Sequence, residues 1–80
     1  MKSYETRDLY LAVSLKLHGF KLIEIKSIER GKGRFAFEDT EPLRKCVKDY
    51  FSGDLQGSLK NFVTVWKDLR GYLFEVIDEN

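Results

Sequence analysis

The sequence predicts a small α+β domain in which a helix is followed by a two-stranded antiparallel hairpin and then by two more helices. Three observations lead to this prediction: a strongly apolar stretch near the N-terminus, two β-prone segments separated by glycines, and two later stretches with apolar residues at helical spacing. A chain of 80 residues has room for one hydrophobic core, so we expect a single domain over residues 1–80.

The apolar stretch at 6–20 is the element around which we expect the rest of the chain to pack. At 3.6 residues per turn its apolar side chains cover most of the helix circumference, whereas Arg7, Ser14 and His18 form a narrow polar stripe. A helix with so little polar surface needs cover from two sides. We therefore expect the hairpin on one side of it and the two later helices on the other.

The ends of this first helix are predicted from its flanking residues. Thr6 is a suitable N-terminal cap, and Gly19 supplies a left-handed stop after the last turn. Phe20 then follows at a position from which it can fold back onto the helix. These signals predict a helix over 7–18.

The β-prone segments 21–28 and 34–38 are expected to pair as an antiparallel hairpin. One face should cover the first helix, and it consists of Ile23, Ile25, Phe35 and Phe37. A glycine-containing loop would place Lys26 opposite Glu38. We favour this register over one that sets Glu24 against Glu38, because two acidic side chains would then face each other.

The charge of the chain is unevenly distributed, and its basic end lies on the hairpin. Residues 16–34 hold six basic and two acidic side chains, although the net charge of the whole chain is only +1. Leu22 and Ile28 add aliphatic surface to the outer face of the hairpin, which is weak evidence for a partner there.

The second half of the chain predicts two helices. A helix is expected to begin near the capping residues at 39–42 and to end at Gly53, and a second one to begin after Ser58. Gly71 interrupts the last pattern, and the residues that follow it have strong β-propensity, so the tail has two interpretations, a third strand or a continued helix. We favour the helix because the apolar spacing continues through the glycine.

No catalytic site is predicted. The chain has one histidine and one cysteine, no glycine-rich phosphate loop and no pair of ligands at zinc spacing, so we expect a non-enzymatic protein without metal or cofactor. The acidic residues Glu38, Asp39 and Glu41 are better explained by helix capping than by a metal site.

The chain also predicts a location. No apolar stretch approaches the roughly 20 residues that a membrane span requires, and the N-terminus has no secretory signal pattern. A single cysteine, Cys46, forms no internal disulfide and fits a reducing compartment. We therefore expect a cytoplasmic protein with no membrane partner.

Four segments of the chain, taken in order, resemble a known family. They are Tyr4 to Ala12 (YETRDLYLA), Arg34 to Asp39 (RFAFED), Val47 to Gly53 (VKDYFSG) and Lys67 to Arg70 (KDLR). Their pattern, T-x-D-L-Y-L-A, F-x-F-E-D and D-Y-F-x-G, is similar to that of a family of small bacterial and phage-borne proteins catalogued as a domain of unknown function. The resemblance implies an intracellular protein in a mobile-element or prophage setting and brings no activity, cofactor or site with it.

Two functions compete. The favoured one is weak, sequence-nonspecific binding of nucleic acid through the basic hairpin, since flexible cations beside glycines can approach phosphates closely. The residues predicted to bind are Lys21, Lys26, Arg30, Lys32 and Arg34. The alternative for the same residues has no ligand: the hairpin is exposed to solvent, and its lysine and arginine side chains prevent aggregation.

The competing function is a protein-interaction module, either a homodimer or a phage product that docks on a host or replication protein. It is suggested by the excess of apolar surface on the first helix and by Leu22 and Ile28 as interface residues. A chain this short also buries a limited share of its surface, so a second copy would add stability.

Overall fold

A computed structural model describes residues 2–29 and 32–78 of the chain. The elements are β1 (Ser3–Thr6), α1 (Leu9–Leu17), β2 (Leu22–Glu29), β3 (Lys32–Glu38), α2 (Glu41–Ser52) and α3 (Leu59–Asp78). The predicted α+β class is confirmed. The predicted order is wrong in one respect, because the hairpin belongs to a three-stranded antiparallel sheet with the strand order β1-β3-β2.

The strand missed by the sequence analysis is β1. It pairs antiparallel with β3, and its register sets Tyr4 against Phe37 and Thr6 against Phe35. Thr6 therefore ends a strand and does not cap α1. Four residues are too few to show the alternation of apolar and polar side chains by which strands are recognised, and pairing with a central strand stabilises this segment instead.

The predicted register of the hairpin is also wrong. Lys26 lies opposite Arg34, not opposite Glu38, and the last described pair is Glu29 with Lys32. Two cations opposite each other are unfavourable in an isolated hairpin. They are tolerated here because β1 brings the carboxylate of Glu5 to both of them.

A β-bulge at the start of β2 reverses the faces predicted for two residues. Leu22 pairs with Phe37 and Glu24 pairs with Ala36, so Ile23 is the extra residue between them. Leu22 consequently packs against the core, and Ile23 is 47% exposed. The expected places of Leu22 on the outer face and of Ile23 on the core face are therefore wrong.

α1 is the buried centre of the fold, as predicted. Five consecutive residues, 11–15, are buried, and α1 contacts β1, α2 and α3. Ser14 belongs to this buried run instead of the exposed polar stripe, and its hydroxyl donates a hydrogen bond to the Tyr10 carbonyl oxygen at 2.9 Å. This intrahelical bond satisfies the hydroxyl and makes its burial tolerable.

The ends of α1 differ from the prediction at one end only. Asp8 caps the N-terminus, since its carboxylate accepts hydrogen bonds from the backbone N–H groups of Tyr10 and Leu11 at 2.9 and 3.2 Å. At the other end Gly19 has φ of +92°, and the N–H of Phe20 donates to the Leu15 carbonyl at 3.1 Å. This is a Schellman termination, and it folds Phe20 back onto the core as expected.

The two later helices follow the prediction in their limits. Thr40 caps α2 by accepting a hydrogen bond from the Leu43 N–H, and Gly53 ends it with φ of +81°. α3 continues through Gly71, so the helical interpretation of the tail is confirmed. However, α3 contacts the hairpin strands as well as α1, and therefore it also covers the sheet.

The core lies between α1, α3, the start of α2 and the inner face of the sheet. Its largest fully buried side chains are Leu11, Val13, Leu15, Phe35, Phe37, Leu43 and Leu69. Leu73 of α3 packs over the sheet at Gly33, where an added side-chain carbon would collide with it.

Candidate interaction surfaces

Two of the basic residues predicted to bind nucleic acid, Lys26 and Arg34, lie on the outer face of the sheet beside acidic ones. We call Glu5, Glu24, Lys26 and Arg34 the ion cluster. The Lys26 ammonium lies 2.8 Å from the Glu5 carboxylate and 3.8 Å from that of Glu24, and an Arg34 guanidinium nitrogen lies 3.5 Å from Glu5. Two acids thus balance two bases.

The register of the sheet explains how the ion cluster forms. Ala36 of the central strand has Glu5 on one side and Glu24 on the other. Its small side chain is 1% exposed, so the long carboxylate side chains on either side cover it. The two cations occupy the next row of the same face, within reach of both acids.

The ion cluster shifts the pKa values of its members. The hydrogen bond from Lys26, with a further contribution from Arg34, lowers the pKa of Glu5 below its ordinary value. The hydrogen bond to Glu5 in turn raises the pKa of Lys26. Both groups are therefore held in their charged forms around neutral pH.

The other predicted site residues are spread over the fold. Lys21, immediately before β2, and Lys32, the first residue of β3, are both exposed. Leu22 lies against the core, so it is not part of an outer apolar surface. Arg30 and the side chain of Ile28 lie outside the described residues.

A second surface, which the sequence analysis did not assign, is a cleft between the end of α1, the end of α2 and the start of α3. This helical cleft has a volume of about 270 Å³. Its walls include Leu17, His18, Tyr50, Leu55, Leu59 and Phe62. Most of these side chains are apolar, and the loop between α2 and α3 forms one of the walls.

Four large apolar side chains on the three helices remain exposed at or beside residues that line the helical cleft. We call Tyr10, Phe51, Leu59 and Val63 the apolar rim. Their exposed fractions are 56%, 68%, 83% and 46%. Each of these four residues belongs to α1, α2 or α3. Each either lines the cleft or is next to a residue that lines it.

Ring contacts hold the aromatic members of the rim in place. Tyr10 stacks on Phe62 with ring centroids 6.4 Å apart, and Phe51 meets Tyr50 edge to face at 5.2 Å. Phe62 and Tyr50 are themselves packed against the core. The rim is therefore supported from beneath, and its rings lose little freedom if a partner covers them.

Helical spacing alone puts the rim residues of α2 and α3 on the same apolar stripes as core residues, but the structure leaves them exposed. In α2 the side chain turned toward the core is that of Leu43, and in α3 it is that of Leu69. The available signal was the width of the apolar stripes, which exceeds what a core of this size covers.

Cys46 and Asp39 are two further titratable groups whose pKa values the fold shifts. Burial raises the pKa of the Cys46 thiol, which lies inside the core next to α1. Asp39 accepts two hydrogen bonds of 2.7 Å from the Arg44 guanidinium, and these lower its pKa. Both settings are structural, since they join α2 to the rest of the fold.

Metal and membrane sites were considered for the part of the chain that the structure describes. Over residues 2–29 and 32–78, no group of three or more histidine, cysteine, aspartate or glutamate side chains is placed to hold a metal ion. Within the same ranges, no helix combines the length and the apolar character needed to cross a bilayer.

The fold and these surfaces define a small α+β protein in which helices pack on one face of a three-stranded antiparallel sheet. Residues 1–75 match the family model described as Domain of unknown function (DUF5659), and the chain belongs to that family. The predicted family membership is thereby confirmed. No match was found among curated proteins or among solved structures.

Proposed function

We propose that this protein is a protein-interaction module whose partner binds at the helical cleft and its apolar rim. The observation that carries the proposal is the grouping of four large, exposed apolar side chains around one cleft. Single exposed apolar residues are ordinary on protein surfaces. A contiguous group beside a concave site is typical of an interaction surface.

The exposure of Leu59 is the strongest part of this evidence. Its side chain is 83% exposed in the first turn of α3, where a polar residue would serve the helix at least as well. Covering a leucine that is this exposed contributes roughly 1.5–3 kcal/mol to binding. The residue therefore favours a state in which another molecule covers it.

The dimensions of the helical cleft indicate the kind of partner. Small-molecule sites have volumes of about 300–1,000 Å³. The cleft, at about 270 Å³, lies near the lower end of that range, and it is open to the rim. It suits one or two large apolar side chains from a protein partner, with the rim covered by the surface around them.

Binding of nucleic acid through the hairpin remains a prediction, with less support than before. Lys26 and Arg34 are already paired with acids, so fewer cations are available to displace counterions from phosphates. The mobile-element setting implied by the family resemblance also remains a prediction. It is compatible with either function.

The nucleic-acid prediction is tested by releasing the two paired cations. Glu5→Gln removes the carboxylate between Lys26 and Arg34, and it should tighten binding to a duplex oligonucleotide several-fold and steepen its salt dependence. Fluorescence anisotropy at low salt measures both quantities. Absence of binding by the wild type and by Glu5→Gln would exclude nucleic acid as the ligand of this face.

The interaction proposal is tested by site-specific photo-crosslinking. A photoreactive phenylalanine analogue at Phe51 should capture a specific protein in cells of the organism that encodes the chain. The captured protein, once purified, should bind the wild-type chain. We expect Leu59→Asp and Phe51→Asp each to weaken that binding by about tenfold or more.

The matched control is Tyr72→Asp. Tyr72 is 51% exposed and lies on the opposite side of α3 from Leu59 and Val63 by helical spacing. The same chemical change there should leave the affinity within about twofold of the wild type. Equal loss of binding in all three variants, with each still folded, would contradict a site at the helical cleft.

A further inference from the structure

β2 is an edge of the sheet, and it is the longest of the three strands. It pairs with β3 along one side, and among the described residues no strand lies along its other side. Such an edge presents unpaired backbone N–H and C=O groups to any strand that meets it. The opposite edge, β1, has only four residues.

The charges of β2 are arranged symmetrically about its centre. In the sequence, Glu24 precedes Ile25 by one position and Lys26 follows it by one. When two antiparallel copies of the strand pair about Ile25, Glu24 of each copy therefore meets Lys26 of the other.

We propose that the β2 edge binds a second copy of this chain, forming a two-fold symmetric dimer with a continuous six-stranded sheet. Antiparallel pairing centred on Ile25 sets Glu24 of one copy opposite Lys26 of the other, twice. It also sets the exposed Ile23 opposite Ser27. Like all two-fold interfaces, this one uses the same surface on both copies.

The side chains needed for this pairing are accessible. The side chains of Glu24 and Lys26 are 56% and 44% exposed, and both lie on the outer face of the sheet with the ion cluster. Between the two bulges of β2, residues 24–27 pair with β3 without interruption. A second strand therefore meets a regular edge at the point where the opposite charges coincide.

The same features have a protective interpretation. Bulges and an edge lysine are devices by which proteins prevent strands from joining at their edges. The two interpretations predict different behaviour. Protection of the edge against pairing does not depend on which positions carry positive and which carry negative charge, whereas dimerisation does. The β2 edge is separate from the helical cleft, so a result for or against the dimer does not decide the proposed function.

The decisive experiment mixes two charge variants. Glu24→Lys puts lysines at positions 24 and 26 and Lys26→Glu puts glutamates at both, so each variant alone opposes like charges in the dimer. Mixed together, the two variants restore two complementary pairs. Sedimentation equilibrium up to several hundred micromolar should show a wild-type species of twice the 9.4 kDa chain mass.

We expect each single variant to weaken self-association by about tenfold or more and the equimolar mixture to recover it as a heterodimer. Circular dichroism confirms that both variants are folded. Glu24→Lys leaves the close pair of Lys26 with Glu5 intact, so it remains informative if Lys26→Glu does not fold. Ser3→Lys, on the opposite sheet edge, is the control and should dimerise like the wild type.

Two results would overturn the proposal. One is a wild-type chain that stays monomeric throughout the concentration range, which would support edge protection. The other is a dimer whose affinity is the same in the wild type and in Glu24→Lys, which would place the interface elsewhere. Recovery of the heterodimer upon mixing is the result that only the charge-matched edge explains.

Discussion

Gly33 shows at the scale of one residue how a side chain is excluded by packing. The glycine lies in β3 beneath α3, and a methyl group there would collide with Leu73 and lie 3.4 Å from Ile25. Its backbone is not in the left-handed region, so packing alone requires the absence of a side chain. The glycine therefore leaves room for the Leu73 side chain of α3 against the sheet.

Gly33→Ala is expected to destabilise the fold by about 1–3 kcal/mol, because Leu73 or the helix must move. Gly71→Ala is the matched control. No atom lies within 4 Å of a side-chain carbon built at Gly71, and alanine favours the helix there by about 1 kcal/mol. Urea denaturation measures both changes, and equal effects of the two substitutions would contradict the close approach at Gly33.

Residue types predicted the cap positions better than they predicted the directions of side chains. Gly19, Thr40 and Gly53 act at the helix ends where the sequence placed them. Leu22 and Ile23 exchanged faces because of a single-residue bulge, which leaves no mark in the alternation of a short strand. The environment of Leu22 and Ile23 depends on how β2 pairs with β3, and this pairing cannot be predicted from the local sequence.

At the scale of elements, β1 depends on its neighbours for stability. It is tied to the sheet by pairing with β3, and the Asp39 N–H extends this pairing with a 3.0 Å hydrogen bond to the Lys2 carbonyl. Glu5 connects β1 to β2 and β3 through the ion cluster. The register of the hairpin could not be predicted without this strand, since Glu5 is what makes Lys26 opposite Arg34 tolerable.

The two carboxylates that join elements predict how stability depends on pH. The pKa values of Glu5 and Asp39 are lowered in the folded chain by Lys26 and Arg44 respectively. The unfolded chain then binds more protons near their ordinary pKa of about 4. The stabilisation is therefore present above that pH and is lost as the pH falls through the lower, folded values.

We expect the free energy of unfolding to fall between about pH 5 and pH 3, and to fall less steeply in Glu5→Gln and Asp39→Asn. Urea denaturation at a series of pH values measures this. Lys26→Met and Arg44→Met should flatten the curve in the same way, because they remove the cations that lower the pKa of each carboxylate. A wild-type slope retained in all four variants would contradict these two ion pairs as its cause.

At the scale of the whole molecule, the buried helix was the most predictable feature. A helix that is apolar around most of its circumference has to be covered on nearly all sides. α1 is indeed enclosed by the sheet, α2 and α3. The helical cleft was not predictable, because the sequence shows how many apolar residues there are but not which of them the core leaves uncovered. The rotation of α2 and α3 about their axes decides that Phe51 and Leu59 face outward.

The central claim is that the helical cleft and its apolar rim bind a protein partner. The most direct test is a heteronuclear NMR titration of the labelled chain with the purified, captured partner. The account predicts that amide shifts change at Tyr10, Phe51, Leu59 and Val63 and stay unchanged at Ser3 and Glu5 on β1. Shift changes confined to the sheet, with the helical cleft unaffected at saturation, would contradict it.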